Sequence, residues 1–154
     1  MAQPELKSRH LFDIDIVIDP PQAIGTTPFG DRRIVTLAGG TFEGERLRGQ
    51  VLPGGGDWLL ARNDGALQLD VRLTMRTDDS ELIYMTYRGI RHGPAAVIER
   101  VNRGEPVDPS AYYFRTAPFF ETGAEKYDWL NRVVAVAMGT RSASGPRYTV
   151  FEIL

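Results

Sequence analysis

The alternation in "ALQLDVRLTMRT" restricts the fold more than any other stretch of the chain. Leu67, Leu69, Val71, Leu73 and Met75 occupy every second position, with Gln68, Asp70, Arg72, Thr74 and Arg76 between them. Successive side chains of a strand point to opposite faces, so this segment has one apolar and one polar face along its whole length. The same period of two runs through "FDIDIVID", where Phe12, Ile14, Ile16 and Ile18 share one side. Further strands are read in "DRRIVTLAGGTF", "RLRGQVL", "DWLLAR", "ELIYMTYRG", "YYFRTAPF", "LNRVVAVAMG" and "RYTVFEIL". Turn residues separate them, notably Asn63-Asp64-Gly65 and Asp78-Asp79-Ser80. Gly39-Gly40 marks a bulge or bend inside its strand.

About nine close-spaced strands with short turns predict an antiparallel meander, and a meander this long must close to hide its edges. The expected fold is therefore all-β: an antiparallel up-and-down barrel of about eight to ten strands with one short helix. An immunoglobulin-like sandwich is the alternative. The helix is read in "PAAVIERVNRG", with Pro94 in its first turn, Gly104 at its C-terminal cap and Val97, Ile98 and Val101 on one side. Thr122 and Glu125 have capping-box spacing and suggest a short helical turn before Trp129. A chain of 154 residues with no linker-like tract suits a single domain, residues 1–154.

Hairpin register follows from the turn. A three-residue loop at Asp78-Asp79-Ser80 pairs Thr77 with Glu81, and so places Arg72 opposite Thr86, Thr74 opposite Tyr84 and Asp70 opposite Arg88. A two-residue loop would exchange the faces. The three-residue loop is preferred because it keeps Val71, Leu73 and Met75 beside Tyr87, Met85 and Ile83. The favoured arrangement puts this aliphatic stripe inside, since each buried Leu contributes about 1.5–3 kcal/mol. The alternative puts Asp70, Arg72 and Thr74 inside a polar cavity, with the Val97–Val101 helix or a second subunit over the aliphatic face.

The motifs "GTFEGERLRGQVLPGGGDW", "LDVRLTMRTDDSELIYMTYRG", "YYFRTAPFFETG" and "WLNRVVAVAMG", in this order, resemble the DUF3237 family, also called UPF0311. The resemblance runs from about "TPFGDRRIV" to the C-terminus. It implies a single small up-and-down β-barrel and almost nothing about function. The family usually has glycine where this chain has Ser80, and a non-glycine residue resists the positive φ of that turn. The segment from Arg91 to Pro109 departs from the family pattern and reads as an insert.

Several chemistries are excluded. With no cysteine, disulfides, thiolate zinc sites, iron–sulfur clusters and cysteine nucleophiles are absent. Only His10 and His92 are available for a histidine metal site, and no calcium-loop pattern exists, so no metal and no cofactor are expected. Gly54-Gly55-Gly56 precede Asp57 rather than Lys and Ser or Thr, which removes a phosphate loop. Ser142 and Ser144 lack a nucleophile-elbow pattern. A net charge of -2 argues against nucleic-acid binding. No apolar run has signal-peptide or membrane-spanning length, so a cytoplasmic protein without membrane association is expected.

The candidate catalytic residues are Asp57, Glu121, Arg115 and Arg72. Asp57 follows the triple glycine, where backbone lets a ligand approach and the carboxylate can project inward. Arg115 and Glu121 share a face if Pro118 leaves the alternation intact; the competing reading is a structural ion pair. Asp57 or Glu121 would move a proton, and Arg72 or Arg115 would stabilise an oxyanion. Trp58, Asp70, Tyr84, Tyr113, Trp129 and Asn131 are the candidate ligand-binding residues, although aromatic residues also simply fill barrels. The expectation is a barrel that binds a small organic molecule, with cofactor-free acid–base chemistry of isomerase, cyclase or lyase type. A non-catalytic carrier and a packed barrel that dimerises through an exposed stripe are the rivals; a homodimer is the expected assembly.

Overall fold

A computed structural model describes all residues, 1–154. Ten strands follow in order: β1 (Ser8–Ile18), β2 (Gln22–Thr27), β3 (Gly30–Glu43), β4 (Arg48–Val51), β5 (Gly56–Ala61), β6 (Leu67–Thr77), β7 (Leu82–His92), β8 (Tyr113–Glu121), β9 (Ala135–Arg141) and β10 (Pro146–Ile153). The helix α1 (Ala95–Asn102) lies between β7 and β8, and 3₁₀ turns form at Pro109–Ala111 and Glu125–Arg132. All pairings are antiparallel. They run β1-β10-β9-β8-β7-β6 and return through β4 and β5 to β3. Because β3 also pairs with β1, the sheet closes. The fold is a closed antiparallel barrel, and the sandwich alternative is excluded.

Ten strands make eight staves because two staves are broken. β1 and β2 lie end to end along one flank of β3, and β4 and β5 lie end to end along its other flank. The expected bulge is present: opposite Val17 and Ile18, β3 carries an extra residue, Ala38, next to Gly39-Gly40, and both glycines have positive φ. Gly40 also sits where a Cβ would lie 2.1 Å from the Asp15 carbonyl oxygen. β2, "QAIGTT", was not anticipated. It has no apolar alternation, is largely exposed and pairs with β3 alone, so nothing in its side chains announces a strand.

The β6–β7 register matches the three-residue loop pair by pair. Arg72 lies opposite Thr86, Thr74 opposite Tyr84 and Asp70 opposite Arg88, and the Thr77 N–H donates to the Glu81 carbonyl. Ser80 carries the turn at φ 69. Leu69, Val71, Leu73 and Met75 are buried among Ile83, Met85 and Tyr87 of β7 and Phe12, Ile14 and Ile16 of β1. The aliphatic stripe is therefore inside, and Arg72 and Arg76 are in solvent.

The two ends of the barrel differ. One end is plugged by the Glu125–Arg132 turn, which buries Tyr127 and Leu130. The Asp79 carboxylate anchors that plug, accepting from Lys126 Nζ and Tyr127 Oη at 2.8 Å each. These donors hold the Asp79 carboxyl well below the usual carboxylate range. Thr122 does not form the expected capping box. Its hydroxyl donates to the Leu82 carbonyl and accepts from the Ala124 N–H, while Ala124 is the capping residue. At the other end α1 packs through Val101, with Pro94 as its N-cap, one position earlier than expected, and Gly104 at φ 77 just past its C-cap. No helix is long and apolar enough to cross a membrane.

Candidate functional site

The interior is solid at the plugged end and hollow at the α1 end. A cavity of about 310 Å³ opens there, walled by side chains such as Leu37, Leu59, Leu69, Val71 and Phe114. Its polar groups are Asp57, Tyr87, Arg33, Arg91, Arg141 and Asn102. On the inner face of β9, Ala135, Ala137 and Gly139 are small, and the Phe114 ring that walls the cavity packs directly over Gly139.

Asp57 reaches the cavity through the backbone around it. It pairs with Val35 on β3 and Val71 on β6, both inward residues, and Val71 pairs in turn with Tyr87. Asp57 and Tyr87 thus occupy one row of the barrel wall. Asp57 is 8% exposed and forms no ion pair; its Oδ1 accepts the Asp70 N–H at 3.0 Å. Burial pushes the Asp57 carboxyl up to about 6, opposed by that N–H and reinforced by the Asp70 charge. Such a carboxyl changes protonation close to neutrality.

Two phenols lie beside it. Tyr87 and Tyr148 meet edge-on with ring centroids 5.1 Å apart, and Tyr148 packs the same way on Phe114 at 5.4 Å. Burial raises both phenols; the neighbouring Tyr148 and then the Asp57 charge raise Tyr87 further, while in Tyr148 its contact with Tyr87 opposes the rise and the Asp57 charge adds to it, so each stays a neutral hydroxyl donor. The Tyr148 hydroxyl is buried with no hydrogen-bond partner.

The other sequence candidates do not join Asp57. Arg72 is exposed on the outer face with its guanidinium 5.2 Å from the Trp58 ring centre, and Trp58 itself faces outward. The Asp70 side chain is on the same outer face; only its backbone touches Asp57. Pro118 leaves the alternation of β8 intact, so Arg115 and Glu121 do share a face, but it is the outer one. Arg115 donates to the Phe114 carbonyl and lies over Tyr113, whose ring stacks on His92. These groups border a depression outside the barrel, between His92–Pro94 and Pro109–Tyr113. Glu121 pairs across the strands with Tyr84, and both are exposed. Trp129 and Asn131 belong to the plug. Arg46 stacks 3.5 Å over Trp129 and reaches buried Glu152, while Asn131 closes the chain onto Thr122. No three His, Asp or Glu side chains gather as a metal site.

Sequence reasoning missed Arg33, Tyr87, Arg91, Arg141 and Tyr148. Parity carried the signal for most of them. Arg91 continues the inward series Ile83, Met85 and Tyr87, Arg141 continues Ala135, Ala137 and Gly139, and Arg33 precedes Val35 and Leu37 at the same spacing.

Residues 6–153 match the family described as "Protein of unknown function (DUF3237)". The chain belongs to the DUF3237 family. It is 37% identical over 151 residues to UPF0311 protein RPA1785 of Rhodopseudomonas palustris, covering 98% of this chain and 99% of that one. The crystal structure of RPA1785 superposes with a TM-score of 0.94, over 99% of this chain and 100% of that chain. A β-barrel-like protein of Acinetobacter baumannii, 35% identical, superposes at 0.86 over 99% of each chain. A protein of Penicillium herquei described as an enzyme shares the fold at a TM-score of 0.76, over 100% of this chain and 99% of that one, with 21% identity.

Proposed function

We propose that this DUF3237 barrel binds a small organic molecule in the Asp57 cavity and transforms it by cofactor-free acid–base catalysis, of isomerase, cyclase or lyase type. One observation carries the reading: a lone, desolvated carboxylate faces the cavity beside the aliphatic side chains of Val35, Leu37 and Val71, without an ion-pair partner. A carboxylate that served only stability would be paired or solvated, because burying a charge is costly. With a carboxyl near 6, Asp57 is mostly ionised at pH 7 yet readily protonated, which suits a group that takes a proton and returns it. Tyr87, on the cavity wall, supplies a neutral hydroxyl that can donate to developing negative charge on the substrate. The Penicillium herquei protein that shares this fold is described as an enzyme.

Native mass spectrometry of freshly purified wild-type protein and Asp57→Asn tests the proposal. Both are expected to carry a non-covalent small-molecule adduct, and the compounds released are expected to differ. Wild type would release product, and the variant an isomer of it or a species differing by an eliminated group. The same compound from both proteins would make the cavity a carrier site, and no adduct on either would remove the ligand reading.

A further inference from the structure

The cavity has an uneven charge. Asp57 is the only carboxylate on its wall, while three guanidiniums stand toward its mouth. The register fixes this layout. Arg33 pairs with Leu59, Arg91 with Leu67 and Arg141 with Pro146, at the strand ends beside α1. Arg91 lies four residues along β7 from Tyr87, the residue in the Asp57 row. At about 3.3 Å per residue, that separates the basic mouth from the acid by about 13 Å.

Two of these three charges, Arg91 and Arg141, have no ion-pair partner within the chain. Arg91 is only 9% exposed, yet no carboxylate pairs with it. Its Nη2 donates to the Asn102 side-chain oxygen at 2.7 Å, and its Nε is buried with no acceptor. Arg141 is half-buried and has neither an ion pair nor a side-chain hydrogen bond among those formed in the structure. Arg33 reaches Asp31 at 3.1 Å, with both side chains about 41% exposed. Burial weakens the protonated form of Arg91, and repulsion from Arg141 weakens it further. Guanidinium carries five fixed donors and keeps its charge in proteins, so a buried fork with an idle donor calls for an acceptor from outside. Several arginines elsewhere in this barrel have carboxylate partners: Arg9 and Arg46 meet Glu152, and Arg147 meets Asp13 and Asp15.

We infer that the ligand of this cavity is an organic carboxylate, its charged head between Arg91 and Arg141 and its apolar body directed inward toward Asp57. The inference rests on the reading of the cavity as a ligand site and adds the ligand's chemical class and its direction. Guanidinium forks match carboxylates in a bidentate geometry. The depth between mouth and acid admits a body on the order of 10 Å, the length of two fused rings. With the head held at the mouth, the carbon farthest from the carboxylate is the one presented to Asp57. Asp57 then repels the carboxylate end and helps to set the orientation.

Isothermal titration of 2-naphthoate against its neutral isostere 2-naphthamide at pH 7.5 tests the inference. The two probes share shape and differ in charge. Wild type is expected to bind the naphthoate at least tenfold more tightly. Arg91→Met/Arg141→Met is expected to bring the two within about twofold of each other, chiefly by weakening the naphthoate, and a cooperative thermal melt reports that the barrel is intact. Where the double variant loses both probes, Arg141→Met alone, at the less buried position, decides, and a preference that persists in it at full size overturns the inference. Asp57→Asn is expected to keep the preference or enlarge it. Equal binding of the two probes by wild type overturns the carboxylate while sparing the acid–base reading. Binding of neither probe at millimolar concentration overturns both.

Discussion

Asp57→Asn removes a buried charge while keeping the shape and the acceptor that meets the Asp70 N–H. The native carboxyl lies at about 6 against an ordinary 3.8. That difference, at about 1.4 kcal/mol per unit, corresponds to about 3 kcal/mol of native-state destabilisation once Asp57 is ionised in both states. The sign follows from proton binding. Between pH 3.8 and 6 the folded protein holds a proton at Asp57 that the unfolded chain has released, so stability falls as pH rises through this window. Below it the group is protonated in both states and contributes nothing; above it the whole penalty is present. Asparagine carries no charge, so the variant lacks this term. The Asn amide N–H₂ must find its own partner, which offsets about 1 kcal/mol. Asp57→Asn is therefore expected to be more stable than wild type by about 1–3 kcal/mol at pH 8, or about 2–12 °C in melting temperature for a chain of this size. At pH 4 the gain should vanish. Paired thermal melts from pH 4 to pH 8 measure it. Other acids, such as Asp79, titrate alike in both proteins, so the difference isolates Asp57. A variant less stable at pH 8, or a gap that does not change with pH, would refute the view of Asp57 as a desolvated carboxylate. A stabilised but inactive variant would mark a site where function opposes stability.

Two further substitutions probe single groups. Tyr148→Phe removes a buried hydroxyl that has no partner, so it should leave stability unchanged or raise it by up to about 1–2 kcal/mol in urea titrations; a loss above about 1 kcal/mol would reveal a hydrogen bond the geometry does not contain. Ser80→Gly relieves a left-handed residue at φ 69, against a larger loss of backbone freedom on folding, and should raise stability by up to about 1 kcal/mol; a lower urea midpoint would show that Ser80 makes an interaction of its own.

Period two made the barrel legible, and turn length made one hairpin legible to the residue. The β6–β7 register follows from keeping Val71, Leu73 and Met75 beside Tyr87, Met85 and Ile83, because a slip of one would expose all six. β2 was not legible, since its residues bury little and it is held mainly by backbone bonds to β3. At the site the limit was different. Parity shows that Arg115 and Glu121 share a side but not which side, whereas Phe114, Thr116, Pro118 and Phe120 between them supply the answer by their burial. The arginines at the cavity mouth were not singled out, because parity alone does not reveal that an inward charge at a strand end has a cavity to enter. Arg91 obeys the inward parity of its strand because the cavity and Asn102 receive it.

The direction of Asp57 depends on a count of residues in "VLPGGGDW". Val51 pairs with Met75 and Asp57 with Val71, so six steps along this stave span the four steps of β6. The surplus of two is accommodated at Leu52–Gly55, where the chain leaves the ladder and rejoins it. Gly54 turns at φ 105, and Gly55 passes so close to β6 that a Cβ would lie 2.5 Å from the Arg72 carbonyl oxygen. The break stays tied by bonds from the Leu52 N–H to Thr74 and from the Gly54 N–H to Leu37. An even surplus preserves parity, so Val51 and Asp57 both face inward; a surplus of one would have sent Asp57 to solvent and Trp58 into the cavity. The glycines therefore act on the site through the backbone. They let the stave pass its neighbour closely enough to absorb two residues, and the first inward side chain beyond the break is the carboxylate.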